Sequence, residues 1–461
     1  MTVLDPSPAL PDRRSWLLLG TLLLGQFMAL LDVTIVNVAL SSIRADLAAS
    51  GSELQLVVAG YTVSYATLLI TGARLGALFG TRRLFRTGVL IFTATSLLCG
   101  LAPTAAALVV ARFAQGAGAA LMMPQVMSVI QLRFAGAARA KALSAYSAVI
   151  ATGGVAGMLV GGALIDADLF GLGWRPVFLI NVPIGIAVFA LVKRVAPADT
   201  PSGARRLDLV GLALSLPGVL LVVTPLVLGH EQGWPGWAFP AMAVGVLLLV
   251  IFVRVQRRVP HPLLNLDVLR VPGVRSGLVT LALATMAYGA FLFSTALHLQ
   301  VGLGDSPSRA ALIFTAFGLP FGLASFYWQR LPQRWHRWLT PVGLAVATLS
   351  CLAVAVGFGS GGHGGLTTLI AFAVWGATIG AGFSPLLSNS LRNVPPAEAA
   401  DASGLLTTTL QLSQVVGVAA FGTVFLGLAP SSHAISVTLA LLSGLLVLGS
   451  VSGLALSRAV R

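Results

Sequence analysis

Residues 16–40 read WLLLGTLLLGQFMALLDVTIVNVAL, a run with a single charge, Asp32. A helix needs about 20 apolar residues to cross the hydrocarbon of a bilayer, and this run supplies them. A carboxylate at mid-bilayer costs about 2.5–3.5 kcal/mol on insertion scales, and is kept where it faces a protein interior or a watered cavity. The stretch therefore reads as one membrane helix among several, with Asp32 as a proton or cation site. The plainer alternative is a carboxyl buried neutral in a helix contact. Asp32 is the only acid well inside any membrane-length segment of the chain.

Outward from this run the pattern repeats. The chain is 57% hydrophobic and 9% charged, against about 25% charged in a soluble domain. Fourteen apolar runs of membrane length stand out: Ser15–Leu40, Leu54–Gly72, Thr87–Leu101, Ala105–Leu132, Ala142–Ile165, Pro176–Val192, Leu207–Leu228, Ala238–Val255, Gly277–Gln300, Ser308–Trp328, Leu339–Phe358, Leu366–Ser390, Ala402–Leu428 and Ala434–Leu456. None alternates with period two, so membrane strands are excluded. The fold class is an all-α polytopic membrane protein.

A net charge of +14 raises the question of nucleic acid. Its distribution answers it. With the N-terminus in the cytoplasm and fourteen spans threaded, cytoplasmic segments hold all but four of the 28 basic residues; the exceptions are Arg44, Arg175 and Arg309 outside and Arg112 within a span. That is the positive-inside pattern, and it places both termini in the cytoplasm of a multi-pass cell-membrane protein. Arg13-Arg14 before an apolar run imitates a signal peptide, but the run is too long, so a retained first helix is expected. Cys99 and Cys351 show neither metal spacing nor an evident disulfide, and no cofactor is expected.

The expected organisation is a cytoplasmic tail (1–14), a six-helix bundle (15–193), a linker (194–206), two inserted helices (207–255), a second linker (256–274), a second six-helix bundle (275–457) and a short C-terminus (458–461). Six, two and six spans suggest two pseudo-equivalent bundles with a substrate path between them.

Several motifs now carry a resemblance: Leu31-Asp32-Val33-Thr34; Gly72-Ala73-Arg74-Leu75 through Gly80-Thr81-Arg82-Arg83; Arg112-Phe113-Ala114-Gln115-Gly116; Gly153-Gly154-Val155-Ala156-Gly157 through Gly161-Gly162; Trp174-Arg175-Pro176 through Asn181; and Ala402-Ser403-Gly404. Together, in this order, they resemble the fourteen-span drug:proton antiporter branch of the major facilitator superfamily. The resemblance implies proton coupling through Asp32 and Arg112. It implies a cytoplasmic gate loop at Gly72, Arg74, Gly80, Arg82 and Arg83, and an antiporter glycine face at Gly153, Gly157, Gly161 and Gly162. Two departures matter. That family's loop carries an acid near Gly76-Ala77, yet no acid lies between Gly72 and Phe85, and Met158 stands where a proline usually follows the central glycine.

The residues support these roles on their own. Arg112 is the only basic residue deep in a span, and a guanidinium never deprotonates. It pairs either with Asp32 or with backbone carbonyls. Burial favours a neutral carboxyl and a nearby guanidinium favours the carboxylate, so the protonation of such an acid depends on conformation. Gln115 and Gly116 share the face of Arg112 at i+3 and i+4, placing one to hold the guanidinium and the other to admit a close helix. Gly153, Gly157 and Gly161 repeat every fourth residue, as in small-xxx-small packing, which would let two halves seal or slide. The candidate cavity residues are Gln26, Asn37, Tyr61, Tyr65, Gln125, Asn181, Tyr288, Gln300, Trp375, Asn389, Gln411 and Gln414; His298 reads as a solvated residue near a span end.

No nucleotide-binding loop precedes either lysine, so an ion gradient must drive transport. The leading reading is proton-driven efflux of small amphipathic compounds such as drugs or antibiotics, by a monomer whose partners are substrate, protons and lipid. The rival is export of an endogenous metabolite or biosynthetic product. A membrane enzyme acting on lipid-linked substrates would need clustered acids with basic or His partners. Asp166 and Asp168 lack them, so the chain is not expected to be an enzyme or to hold a metal.

Overall fold

Long apolar runs without period two satisfy their backbone internally only as helices, and the described residues hold no strand. The computed structural model describes residues 12–134, 136–196, 208–229, 232–259, 262, 265–359, 365–395, 398–428 and 432–459. Most of the expected tail (1–11), most of the first linker (197–206), part of the second linker and residues 460–461 lie outside them.

The first half comprises α1 (Arg13–Leu47), α2 (Gly51–Phe79), α3 (Thr81–Gly100), α4 (Ala105–Arg133), α5 (Gly136–Asp166), a short α6 (Pro176–Leu179) and α7 (Asn181–Val195). Then come α8 (Leu209–Leu228) and α9 (Ala238–Gln256). The second half comprises α10 (Val274–Leu297), α11 (Pro307–Tyr327), a short α12 (Gln333–His336), α13 (Leu339–Gly359), α14 (Leu366–Leu391), α15 (Ala399–Leu428) and α16 (Ser432–Ala459). Asp12 caps α1, accepting from Ser15 N and Oγ at 2.8 and 2.7 Å, bonds that hold its carboxyl below the usual range.

By length and hydropathy, twelve helices among the described residues are candidate spans, where the sequence reading expected fourteen. The two beyond that count are α2 and α3. Helix α3 carries Arg82, Arg83 and Arg86 in its first two turns, and α2 mixes Gln55, Tyr61, Thr62, Ser64, Tyr65 and Thr67 into its centre.

The two halves use the same pairings. In the first, α1 packs on α5 and α7, α2 on α4, and α3 on α4 and α7; in the second, α10 packs on α15 and α16, α11 on α14, and α13 on α14 and α16. The seam between halves obeys the same equivalence, with α5 against α11 and α2 against α15. Helices α8 and α9 pair with each other, and α8 lies on both α2 and α15, outside that seam. Helix α9 leaves Phe239, Val244, Val246 and Leu247 exposed, as a helix apolar all round does when it faces lipid.

At the end where α1 stops, polar contacts join the halves. Ser41 Oγ donates to Gln300 Oε1 at 2.5 Å, and Ser308 N donates to Asp166 Oδ2 at 3.2 Å.

Candidate functional site

Asp32 lies in the middle of α1 with none of its surface exposed, and Arg112 on α4 is 1% exposed. Their side chains meet, Nη1 to Oδ2 at 2.5 Å. The other carboxylate oxygen, Oδ1, accepts from Gln115 Nε2 at 2.9 Å and from Asn181 Nδ2 at 2.8 Å. Three donors from two other helices thus satisfy a carboxylate that hydrocarbon would penalise. Arg112 is tied down as well. Its Nη1 also donates to Gln115 Oε1 at 2.8 Å, and its Nε to the Val57 carbonyl of α2 at 3.0 Å. The guanidinium carbon lies 4.5 Å from the Tyr61 ring centre and 5.6 Å from that of Phe178, both within cation–π range. The two readings of Arg112, carbonyl-bound or acid-paired, are both realised.

Local sequence explains how the pieces arrive. Gly116 brings α4 against α2, since a Cβ there would run into the Tyr61 carbonyl. Asn181 sits just after the Ile180 break between α6 and α7. Pro183 has no N–H to bond the Leu179 carbonyl, which weakens the ladder at that break. Ser96 of α3 then steadies Asn181: its Oγ accepts from Asn181 Nδ2 at 3.0 Å and donates to the Phe178 carbonyl at 2.9 Å.

The other sequence candidates disperse. Asn181 is part of the carboxylate shell and not of an open cavity. Gln125 clamps α4 to α2 through the Gly72 carbonyl at 3.0 Å. Trp375 is buried in a ring cluster, 4.5 Å from Phe291. Gln300 serves the contact with Ser41. Gln26 and Gln411 are buried within helix packing, Asn389 lies half-buried near the end of α14, and Tyr65 packs beside Tyr61 at 6.1 Å. Asn37, Arg112 and Gln414 line one small space near Leu292, and Tyr288 lines another. His298, expected to be solvated, is instead buried against Phe358 in a π-helical turn, His298–Gly302.

The glycine face meets a different partner from the one expected. Gly153, Gly157 and Gly161 press on α1, at Leu30, Leu31 with Thr34, and Ile35 respectively. This contact lies within the first half. Only Gly162 faces the other half, at Pro307, Ser308 and Ala311 of α11. Helix α5 runs unbroken through Met158. In the gate loop, Gly80 joins α2 to α3 at φ 93°, a conformation that favours glycine. Gly72 abuts the Ala120 carbonyl, which Pro124 leaves without its helical donor. Arg82 donates to the Lys193 carbonyl at 3.0 Å. Arg74 is half-buried and Arg83 exposed.

Sequence reasoning missed Ser96, Val57 and Phe178 at this site. A backbone carbonyl leaves no sequence signal. Phe178 stands three residues before Asn181, so its place in the same motif was the one available hint.

The model of the Major Facilitator Superfamily matches residues 22–418. The chain belongs to the major facilitator superfamily. It is 41% identical to a probable actinorhodin transporter of Streptomyces coelicolor over 93% of this chain and 75% of that protein. It is 37% identical to the cephamycin export protein CmcT of Amycolatopsis lactamdurans, over 86% of this chain and 82% of that one. A bacterial homolog of the human lysosomal transporter Spinster, solved inward-facing and unoccupied, shares the fold at a TM-score of 0.71 and 16% identity, over 97% and 98% of the two chains. This major facilitator chain is a multi-pass membrane transporter and not an enzyme.

Proposed function

We propose that this chain is a proton-coupled exporter of small amphipathic compounds, such as drugs or antibiotics, in the cytoplasmic membrane. Fourteen helices cross the bilayer and both termini are cytoplasmic. Helices α2 and α3 count as spans because each packs along α4, itself a candidate span, and because fourteen crossings keep the basic residues on one side. The relatives named for actinorhodin and cephamycin support export.

The observation that carries the coupling is the buried carboxylate of Asp32 with its three donors. A proton arriving there removes the charge that Arg112 answers. The guanidinium, always charged, must then find other acceptors, and α1, α4 and α7 no longer share one anion. Protonation thereby changes the balance between arrangements of the halves, and substrate moves in exchange. In everted vesicles carrying a fixed pH gradient, Asp32→Asn should lower substrate-driven proton flux at least tenfold at normal expression. Wild-type rates in that variant would remove Asp32 from the mechanism.

The rival reading, export of a product made by the cell itself, shares this site. Resistance to added drugs in a pump-deficient host favours the first reading; accumulation of the cell's own product on deleting the chain favours the second.

A further inference from the structure

Between α5 of the first half and α10 and α11 of the second lies a cavity of about 50 Å³. One wall is aromatic. The ring of Tyr288 lies 6.1 Å from that of Phe317 at 25°, and Phe317 lies 6.2 Å from Phe321 at 12°. A flat molecule aligned with Phe317 therefore lies within 25° of the Tyr288 ring plane and 12° of that of Phe321. Phe291 at 5.0 Å and Trp375, edge-on at 5.6 Å, brace Phe317 from its other contacts. Gly154 and Met158 of α5 also line the space. Glycine leaves room there, and a thioether makes favourable contacts with ring edges. Among the described residues, no ionisable group other than the phenol of Tyr288 lines it. Arg112 borders the neighbouring space instead, and Leu292 lines both.

We propose that Tyr288, Phe317 and Phe321 form a stacking subsite for the flat aromatic part of an uncharged substrate. The proposal rests on the export reading above and adds the substrate class. Aromatic pairs gain from offset stacking beyond the area they bury, and a saturated ring system of equal size gains only the area. The cavity is smaller than the roughly 300–1,000 Å³ of a drug-sized pocket, so it takes one edge of the substrate. Its position on the α5–α11 seam makes its width sensitive to any rocking of the halves.

The test needs no gradient. Cys99 and Cys351 are both buried, so Thr315→Cys, at a half-buried lining position, adds the accessible thiol to the full chain in lipid nanodiscs. Maleimide labelling is timed with 1,8-dihydroxyanthraquinone and with its fully saturated ring analogue. The anthraquinone should slow labelling about tenfold and the saturated analogue less than twofold. Phe317→Leu should erase that difference and Phe317→Trp restore it. Where Phe317→Leu fails to fold, Phe321→Leu, at the half-buried end of the wall, should erase it too. Equal protection by both probes, or selective protection surviving in the leucine variants, overturns the subsite. Export without planar selectivity in binding overturns the subsite alone; selective protection without export overturns the export reading and retains the subsite.

Discussion

Arg112 is held by a carboxylate, an amide oxygen, a backbone carbonyl and two ring faces. Removing one member of a buried pair costs about 3–5 kcal/mol because the other charge is left uncompensated. Groups that act as a unit are non-additive when removed. Arg112→Ala alone should therefore cost transport severely, and adding Asp32→Asn should cost little more. The checking measurement is a double-mutant cycle on initial efflux rates at matched expression; losses that multiply independently would mean the pair is not coupled. Asp32 and Arg112 were legible in the sequence because charge is so rare in its spans that each pointed to the other. Asn181 was only half legible. A buried amide has the same letter whether it faces a substrate or a carboxylate, and only the break before Pro183 and the packing of α3 decide which. Ser96 was not legible, since a hydroxyl in an apolar helix usually bonds its own backbone.

Helix α5 shows what an element-level pattern contains. Glycine at every fourth position announced close packing, and the contact exists. The pattern could not say which helix fills the groove, because small residues accept any backbone that comes near. The partner is α1, and the contact at Gly157 falls on Leu31 and Thr34, flanking Asp32. A Cβ at Gly157 would lie 2.5 Å from the Leu31 carbonyl. Gly157→Leu must therefore displace α1 beside the carboxylate without removing a charged group. Transport should fall at least tenfold, with the pH dependence of any residual rate altered, while Gly20→Ala on α1, where an added Cβ would meet nothing within 4 Å, should stay within about twofold. Normal turnover in a stable Gly157→Leu protein would show that this contact carries no mechanical load. The same contact explains how Met158 can replace a proline, since backbone approach here depends on the glycines and α5 needs no break.

At the scale of the whole molecule, the all-helical membrane fold was legible from the long apolar runs. The equivalence of the halves was suggested by span order but not by the side chains, which diverge; the recurrence of the same helix pairings carries it. The asymmetry of charge between the halves makes a prediction about substrate. Helices α10–α16 contain one acid, Asp401, in the first turn of α15. The membrane interior therefore offers one negative charge, Asp32, the group proposed to take the proton. A dication would need a second buried counter-charge, since each unpaired ion in low dielectric costs several kcal/mol. A neutral compound exchanged for one proton moves one charge inward, about 2.3 kcal/mol per 100 mV. A monocation exchanged for one proton is electroneutral and draws only on the pH difference, about 1.4 kcal/mol per unit. Neutral substrates should thus respond to voltage at fixed pH, monocations should not, and bis-quaternary compounds should be exported at least tenfold more slowly than either. Vesicles with a clamped pH gradient and a potassium diffusion potential separate the three cases. Bis-quaternary compounds moving as fast as monovalent dyes would require a second acid in the path, and α10–α16 have none to give at that depth.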